Sequence, residues 1–166
     1  PIPLEYAITG LGPIHVRIAD FDYFKDVMEK VLQFKEIDQE GDRHLFEVGE
    51  GGNGARVVIE YNTVMPNARQ GYGTVHHAAL RVEDRSVLEE WIKRMDDFGY
   101  RTSGYVNRFY FESLYAPVAP QILFEFATDG PGFMDDEPYE TLGEKLALPP
   151  MLEPQREQIE QMVRPI

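Results

Sequence analysis

The chain has 166 residues, enough for one ordinary core, and a formal charge of 16 − 29 = −13, which makes it a poor candidate for binding a phosphate backbone. It has no Cys, so a disulfide framework, a thiolate metal site and a Cys nucleophile are all excluded. The 43% hydrophobic and 12% aromatic content belongs to a folded domain rather than an acidic tail. No apolar run reaches the length of a membrane span and no signal peptide is present, so the expectation is a cytoplasmic protein with no membrane or nucleic-acid partner.

Two stretches resemble each other: LGPIHVRIAD at 11–20 and VHHAALRVED at 75–84, each a β-rich run ending in an acid. Asp20 and Asp84 are plausible N-caps. After Asp20, residues Phe24, Val27, Met28, Val31 and Leu32 recur at helical spacing. After Asp84, residues Val87, Leu88, Trp91, Ile92 and Met95 do the same. Gly99 suits the end of the second helix. Three strands follow each helix: about 35–39, 44–48 and 56–61 in the first copy, and 102–106, 109–115 and 121–127 in the second. The last strands match as RVVIEY and QILFEF, which puts Glu60 and Glu125 in one slot. The prolines of APVAP at 116–120 predict a turn rather than a strand.

The fold class predicted is α+β, with two βαβββ modules at about 9–62 and 73–128 within residues 1–128. A turn-rich loop, NTVMPNARQGYG, joins them. Residues 129–166 hold six further prolines and read as a tail that wraps on the domain and ends in a short helix over QREQIEQMVR.

Any metal must be held by His, Asp or Glu, and the four histidines are His15, His44, His76 and His77. His76 and His77 are adjacent, so on a strand they point to opposite faces. Glu125 lies inside the apolar run ILFEF, where a lone carboxylate is costly to bury. A metal shared with a His is one solution. Pairing with Arg81 or Arg108, or a place on an exposed sheet face, is another. His44, in DRHLFEV, reads as structural.

The order GLGPIHVRIAD, GTVHHAALRVED, NRFYFESLY, ILFEFATDGPGF and DEPYETLGEKLALPP resembles the vicinal oxygen chelate superfamily of glyoxalases, bleomycin-resistance proteins and extradiol dioxygenases. Within it, the pattern is most similar to the hydroquinone-type ring-cleaving dioxygenases. The resemblance implies paired half-barrels and a non-haem Fe(II) centre, with Mn, Zn or Ni as alternatives. It implies metal ligation by His77 and Glu125; strand alternation then directs His76 away from the metal. His76, Arg108 and Tyr115 would stand around a small aromatic substrate, a hydroquinone or catechol, that is cleaved with dioxygen. Phe109, Tyr110 and Phe111 would give an apolar wall.

The family's third ligand, a His, has no counterpart in the first module when positions are counted from the helix caps. Pro13 stands there, and His15 is two residues out of register. The chain is therefore expected to be the C-terminal half of a longer protein, as its start at Pro1 also suggests, and to pair with an N-terminal βαβββ unit or to form a homo-oligomer. A set of His15, Glu60, His77 and Glu125, as in glyoxalase-type isomerases, is the alternative metal site. A metal-free binding or resistance module is the alternative of a different class.

Overall fold

The computed structural model describes residues 3–8, 10–64, 66 and 68–163. The expected module start at residue 9, loop positions 65 and 67, and the last helix residue, Arg164, lie outside them.

The first module runs β1 (Ile14–Ile18), α1 (Phe21–Asp26), β2 (Lys35–Glu40), β3 (Arg43–Glu47) and β4 (Arg56–Tyr61). The second runs β5 (Ala78–Arg81), α2 (Arg85–Asp97), β6 (Val106–Asn107), β7 (Glu112–Ala119) and β8 (Ile122–Ala127). Each forms a four-stranded sheet, in the orders β1-β4-β3-β2 and β5-β8-β7-β6. The outer pairs β1–β4 and β5–β8 are parallel, because the helix carries the chain across the sheet, and the remaining pairs are antiparallel. The α+β architecture of two βαβββ modules is therefore present.

Both helices start as their caps predict. Asp20 accepts the Tyr23 N–H at 3.1 Å and Asp84 accepts the Val87 N–H at 3.0 Å. The first helix is not uniform: after Asp26 it widens into a π-helical turn over Val27–Val31. It ends at Gln33, left-handed at φ 63°, where the second uses Gly99 at φ 78°. Phe24, Val27, Met28, Val31 and Leu32 from the first helix are buried, as are Leu88 and Met95 from α2. They pack in one core with Phe46, Val57 and Ile59 of the first sheet and Leu114, Phe124 and Phe126 of the second. A third helix, α3 (Arg156–Met162), stands where the tail helix was expected.

One expectation fails in an instructive way. APVAP is not a turn: β7 continues through it to Ala119, and the turn is Pro120-Gln121, with Gln121 at φ 63°. Tyr115 pairs with Glu125 and Pro117 with Leu123. The Tyr115 carbonyl and N–H both turn away from β8, bonding the Ser103 N–H and Oγ. Pro117 is two residues on, so its missing N–H falls on the same outer side and no ladder bond is lost. The strand before it, β6, is correspondingly short.

Candidate metal centre

Strand register decides which side chains meet. On β8, Phe124 and Phe126 face the core, so Glu125 faces the opposite, open side of the sheet. Its neighbours across the sheet are Ala79 on β5 and Tyr115 on β7. His77 stands two residues before Ala79 and reaches the same face. Its Nε2 lies 2.8 Å from Glu125 Oε2.

The Glu125 side chain is only 4% exposed, and its other oxygen, Oε1, is buried with no hydrogen-bond partner. The alternatives open for this carboxylate are both taken elsewhere. Arg81 pairs with Asp129 at 2.9 Å, and the Arg108 Nε donates to the Tyr115 hydroxyl at 3.2 Å. A half-satisfied buried carboxylate beside an imidazole fits a cation. Two neighbouring donors on an ion with bonds near ~2.1 Å stand about 3 Å apart, close to the spacing here.

Around this pair the second module gathers the other predicted residues. The Tyr115 ring stands edge-on to His77, with centroids 5.6 Å apart. The Arg108 guanidinium lies 5.0 Å from the Tyr115 ring centre. Arg108 sits in a tight turn in which Phe109 is left-handed at φ 71°, held by the Asn107 Oδ1 on its N–H at 2.7 Å. Phe109 and Tyr110 contact each other edge-on, and Tyr110 stacks at a tilt on Phe133 of the tail. Tyr110 also donates to Asp136 at 2.8 Å. Burial and that carboxylate push its phenol up to about 12.

His76 departs from expectation. It does not point to the opposite face from His77: its Nδ1 lies 2.9 Å from the His77 Nδ1. Both residues precede β5, which begins at Ala78, so strand alternation does not govern them. His77 therefore touches Glu125 through one ring nitrogen and His76 through the other.

The first module corrects the register argument. Glu60 pairs with Arg17 on β1, as Glu125 pairs with Ala79 on β5. His15 is two residues before Arg17, as His77 is two before Ala79. His15, not Pro13, thus occupies the counterpart of the His77 position, and its Nε2 lies 3.2 Å from Glu60 Oε2. Counting from the helix caps misplaces it because the link from strand to cap is two residues longer in the second module.

Glu60 differs from Glu125 in its company. The Arg17 Nε donates to its Oε1 at 2.6 Å and the Arg43 Nε to its Oε2 at 3.4 Å. Arg17 foremost, then Arg43 and His15, hold the Glu60 carboxyl below the usual carboxylate range. The four-residue set of His15, Glu60, His77 and Glu125 is not assembled. Among the described residues no three His, Asp or Glu side chains come together as a metal cluster.

His44 is structural as expected. It is mostly buried on β3, 4.0 Å from the Phe21 ring centre, with Nδ1 2.6 Å from Glu36. His44, and then Lys25 on the other oxygen, keep the Glu36 carboxyl low. The left-handed turn at Phe109 and the π-helical turn had no signal in the sequence. Among the described residues no helix is long and apolar enough to cross a membrane.

Comparison with known proteins matches residues 10–129 to the Glyoxalase/Bleomycin resistance protein/Dioxygenase superfamily. A Bacillus subtilis (strain 168) protein named "Putative ring-cleaving dioxygenase MhqA" is 40% identical over 170 residues, covering 99% of this chain and 54% of the relative. The "Chlorohydroquinone/hydroquinone 1,2-dioxygenase" of Sphingobium indicum is 30% identical over 156 residues, covering 92% of this chain and 48% of the relative. A crystal structure titled as a putative dioxygenase from Bacillus subtilis superposes with a TM-score of 0.83 at 36% identity, over 96% of this chain and 51% of that one. The chain thus spans about half the length of the curated relatives it matches. Its two βαβββ sheets, its sequence across residues 10–129 and these relatives agree: the chain belongs to the glyoxalase, bleomycin resistance protein and dioxygenase superfamily.

Proposed function

We propose that this chain is the metal-bearing part of a ring-cleaving dioxygenase that opens a hydroquinone or catechol. The observation that carries the reading is the His77–Glu125 pair, with a buried carboxylate oxygen that nothing in the protein satisfies. The relatives named for ring cleavage support the reaction class.

His77 and Glu125 would hold the ion, with the unpartnered Glu125 Oε1 adding capacity for it. A non-haem Fe(II) there would supply adjacent open positions for a ring hydroxyl and dioxygen. The third protein donor comes from another βαβββ unit, in a longer chain or in a second copy.

The chain's own residues then have definite tasks. With Nε2 committed to a cation, the single proton of a neutral His77 ring must sit on Nδ1. His76 Nδ1 accepts it there and fixes both the ring's tautomer and its tilt. His76 keeps its own proton on Nε2, where it can be passed to a substrate oxygen. Tyr115 already receives a hydrogen bond from Arg108, so its own O–H is free to donate to the oxygen of a deprotonated ring hydroxyl. Arg108 contributes positive charge beside that oxygen. Burial of Glu125 keeps water from competing for its oxygens.

The test loads the purified chain with Fe(II) and measures dioxygen uptake with hydroquinone and catechol, alone and mixed with an N-terminal βαβββ partner unit from a relative. Iron binding that depends on His77 and Glu125, with uptake rising sharply when the partner unit is added, supports the reading. Binding unaffected by Glu125→Gln and His77→Ala overturns it.

A further inference from the structure

The two modules present the same constellation with two substitutions. In the second, Glu125 is flanked across the sheet by Ala79 and Tyr115. In the first, the matching neighbours of Glu60 are Arg17 and Arg43. The His stands in the same place in both, with Nε2 against a carboxylate oxygen at 2.8 Å and 3.2 Å. What differs is the carboxylate's remaining capacity. Glu125 Oε1 is buried and unpartnered, whereas both Glu60 oxygens already accept from guanidinium groups.

We propose that the first module holds a latent divalent-cation site, made of His15 and Glu60, in which Arg17 and Arg43 stand in for the metal. A guanidinium is a permanent cation whose N–H groups match carboxylate oxygens, so it satisfies a buried carboxylate without any ion. It also repels a divalent cation from the same oxygens, and at Arg17 the contact to Oε1 is a close 2.6 Å. Burial explains why something positive is required: the Glu60 side chain is only 7% exposed, close to the 4% of Glu125. Two equally buried carboxylates on equivalent strands thus find two different cations. The choice is made by the residues directly across the sheet, not by the His or the Glu.

Arg17 and Arg43 are accordingly specificity residues that confine metal to one module. The inference uses the reading of His77 and Glu125 as a metal pair only as a comparator. The experiment transplants the second module's neighbours into the first, as Arg17→Ala with Arg43→Tyr. Co(II) is titrated in, and the resonances of the four histidine rings are followed by NMR, since a bound paramagnetic ion broadens the rings nearest to it most strongly.

In the parent chain, broadening is expected at His77 and His76 and not at His15. In the double variant, His15 should broaden as well, over a Co(II) range similar to that for His77, and Glu60→Gln added on top should abolish that new response. His44 serves as the internal control. A folded double variant in which His15 stays sharp throughout the His77 range overturns the proposal. So does a parent chain in which His15 already responds. If the double variant does not fold, Arg43→Tyr alone and Arg17→Ala alone are titrated, and at least one must show a His15 response that the parent lacks. Failure of the His77 pair to bind is seen separately, as loss of the Glu125-dependent broadening, and leaves the His15 comparison between variant and parent intact.

Discussion

Glu125 is the residue on which most depends, and its surroundings predict a separation of stability from metal binding. In the metal-free chain its Oε1 contributes nothing, because no group donates to it. Replacing it with Gln removes a charge from a buried position and keeps the shape. Glu125→Gln should therefore change metal-free stability by no more than about 1 kcal/mol in chemical denaturation. The rise in Tm on adding Fe(II) or Co(II), present in the parent under the proposed reading, should vanish in the variant, because only a ligand that binds the native state stabilises it. A metal-dependent Tm rise that survives the substitution would place the ion elsewhere. The sequence already pointed to Glu125 and His77, because a Glu inside ILFEF and a His pair at the head of a matching strand are visible as text. It could not reveal the His76 contact, which depends on the strand beginning one residue after His77.

At the scale of elements, β7 carries a prediction that its text obscured. Ala116 pairs with Phe124, is fully buried and directs its backbone toward β8, whereas Pro117 directs its nitrogen to the open side. Pro117→Ala should alter stability by only about 0.4–1 kcal/mol, through the unfolded chain. Ala116→Pro should abolish folding, because it removes a ladder bond and forces a ring into the core. Circular dichroism of the two variants is sufficient to distinguish them. A proline-rich string reads as a turn by composition alone, since composition does not say which side of a strand lacks a neighbour.

The helix caps were legible because an acid before an amphipathic run is a local signal. The register between modules was not. The link from strand to cap absorbed two residues, from Arg17-Ile18-Ala19-Asp20 to Ala79-Leu80-Arg81-Val82-Glu83-Asp84. Loops tolerate such insertions while paired strands do not. Counting from the strand partners Glu60 and Glu125 would have found His15.

Across the whole molecule the two modules are tied by a few directed contacts over the shared core. Arg94 of α2 donates through Nε to the Val31 carbonyl at 2.7 Å and through Nη2 to the Lys30 carbonyl at 2.6 Å. Those carbonyls belong to the last two residues of the π-helical turn of the first module, so the guanidinium meets the negative end of the helix. Tyr23 makes the return contact, donating to the Val118 carbonyl at 3.0 Å. Arg94→Ala should cost about 1–2 kcal/mol in urea denaturation, after discounting for partial exposure. The loss should appear as faster amide exchange at the end of the first helix more than in either sheet. Uniformly faster exchange would mean that the modules do not loosen from one another there.

The position of the His77–Glu125 pair within its sheet has a mechanical meaning. Glu125 rides on β8, fenced on both sides by β5 and β7, while His77 hangs from the tip of β5, an outer strand of four residues. One jaw of the pair sits between two strands and the other lies just outside the sheet. Under the proposed reading, ions of different radius would be accommodated by moving His77 together with His76, with the carboxylate as fixed reference. A vice of this kind sets distance by its movable side, so any metal preference of the proposed site would be adjustable through the segment that carries His76 and His77, without disturbing the core behind β8.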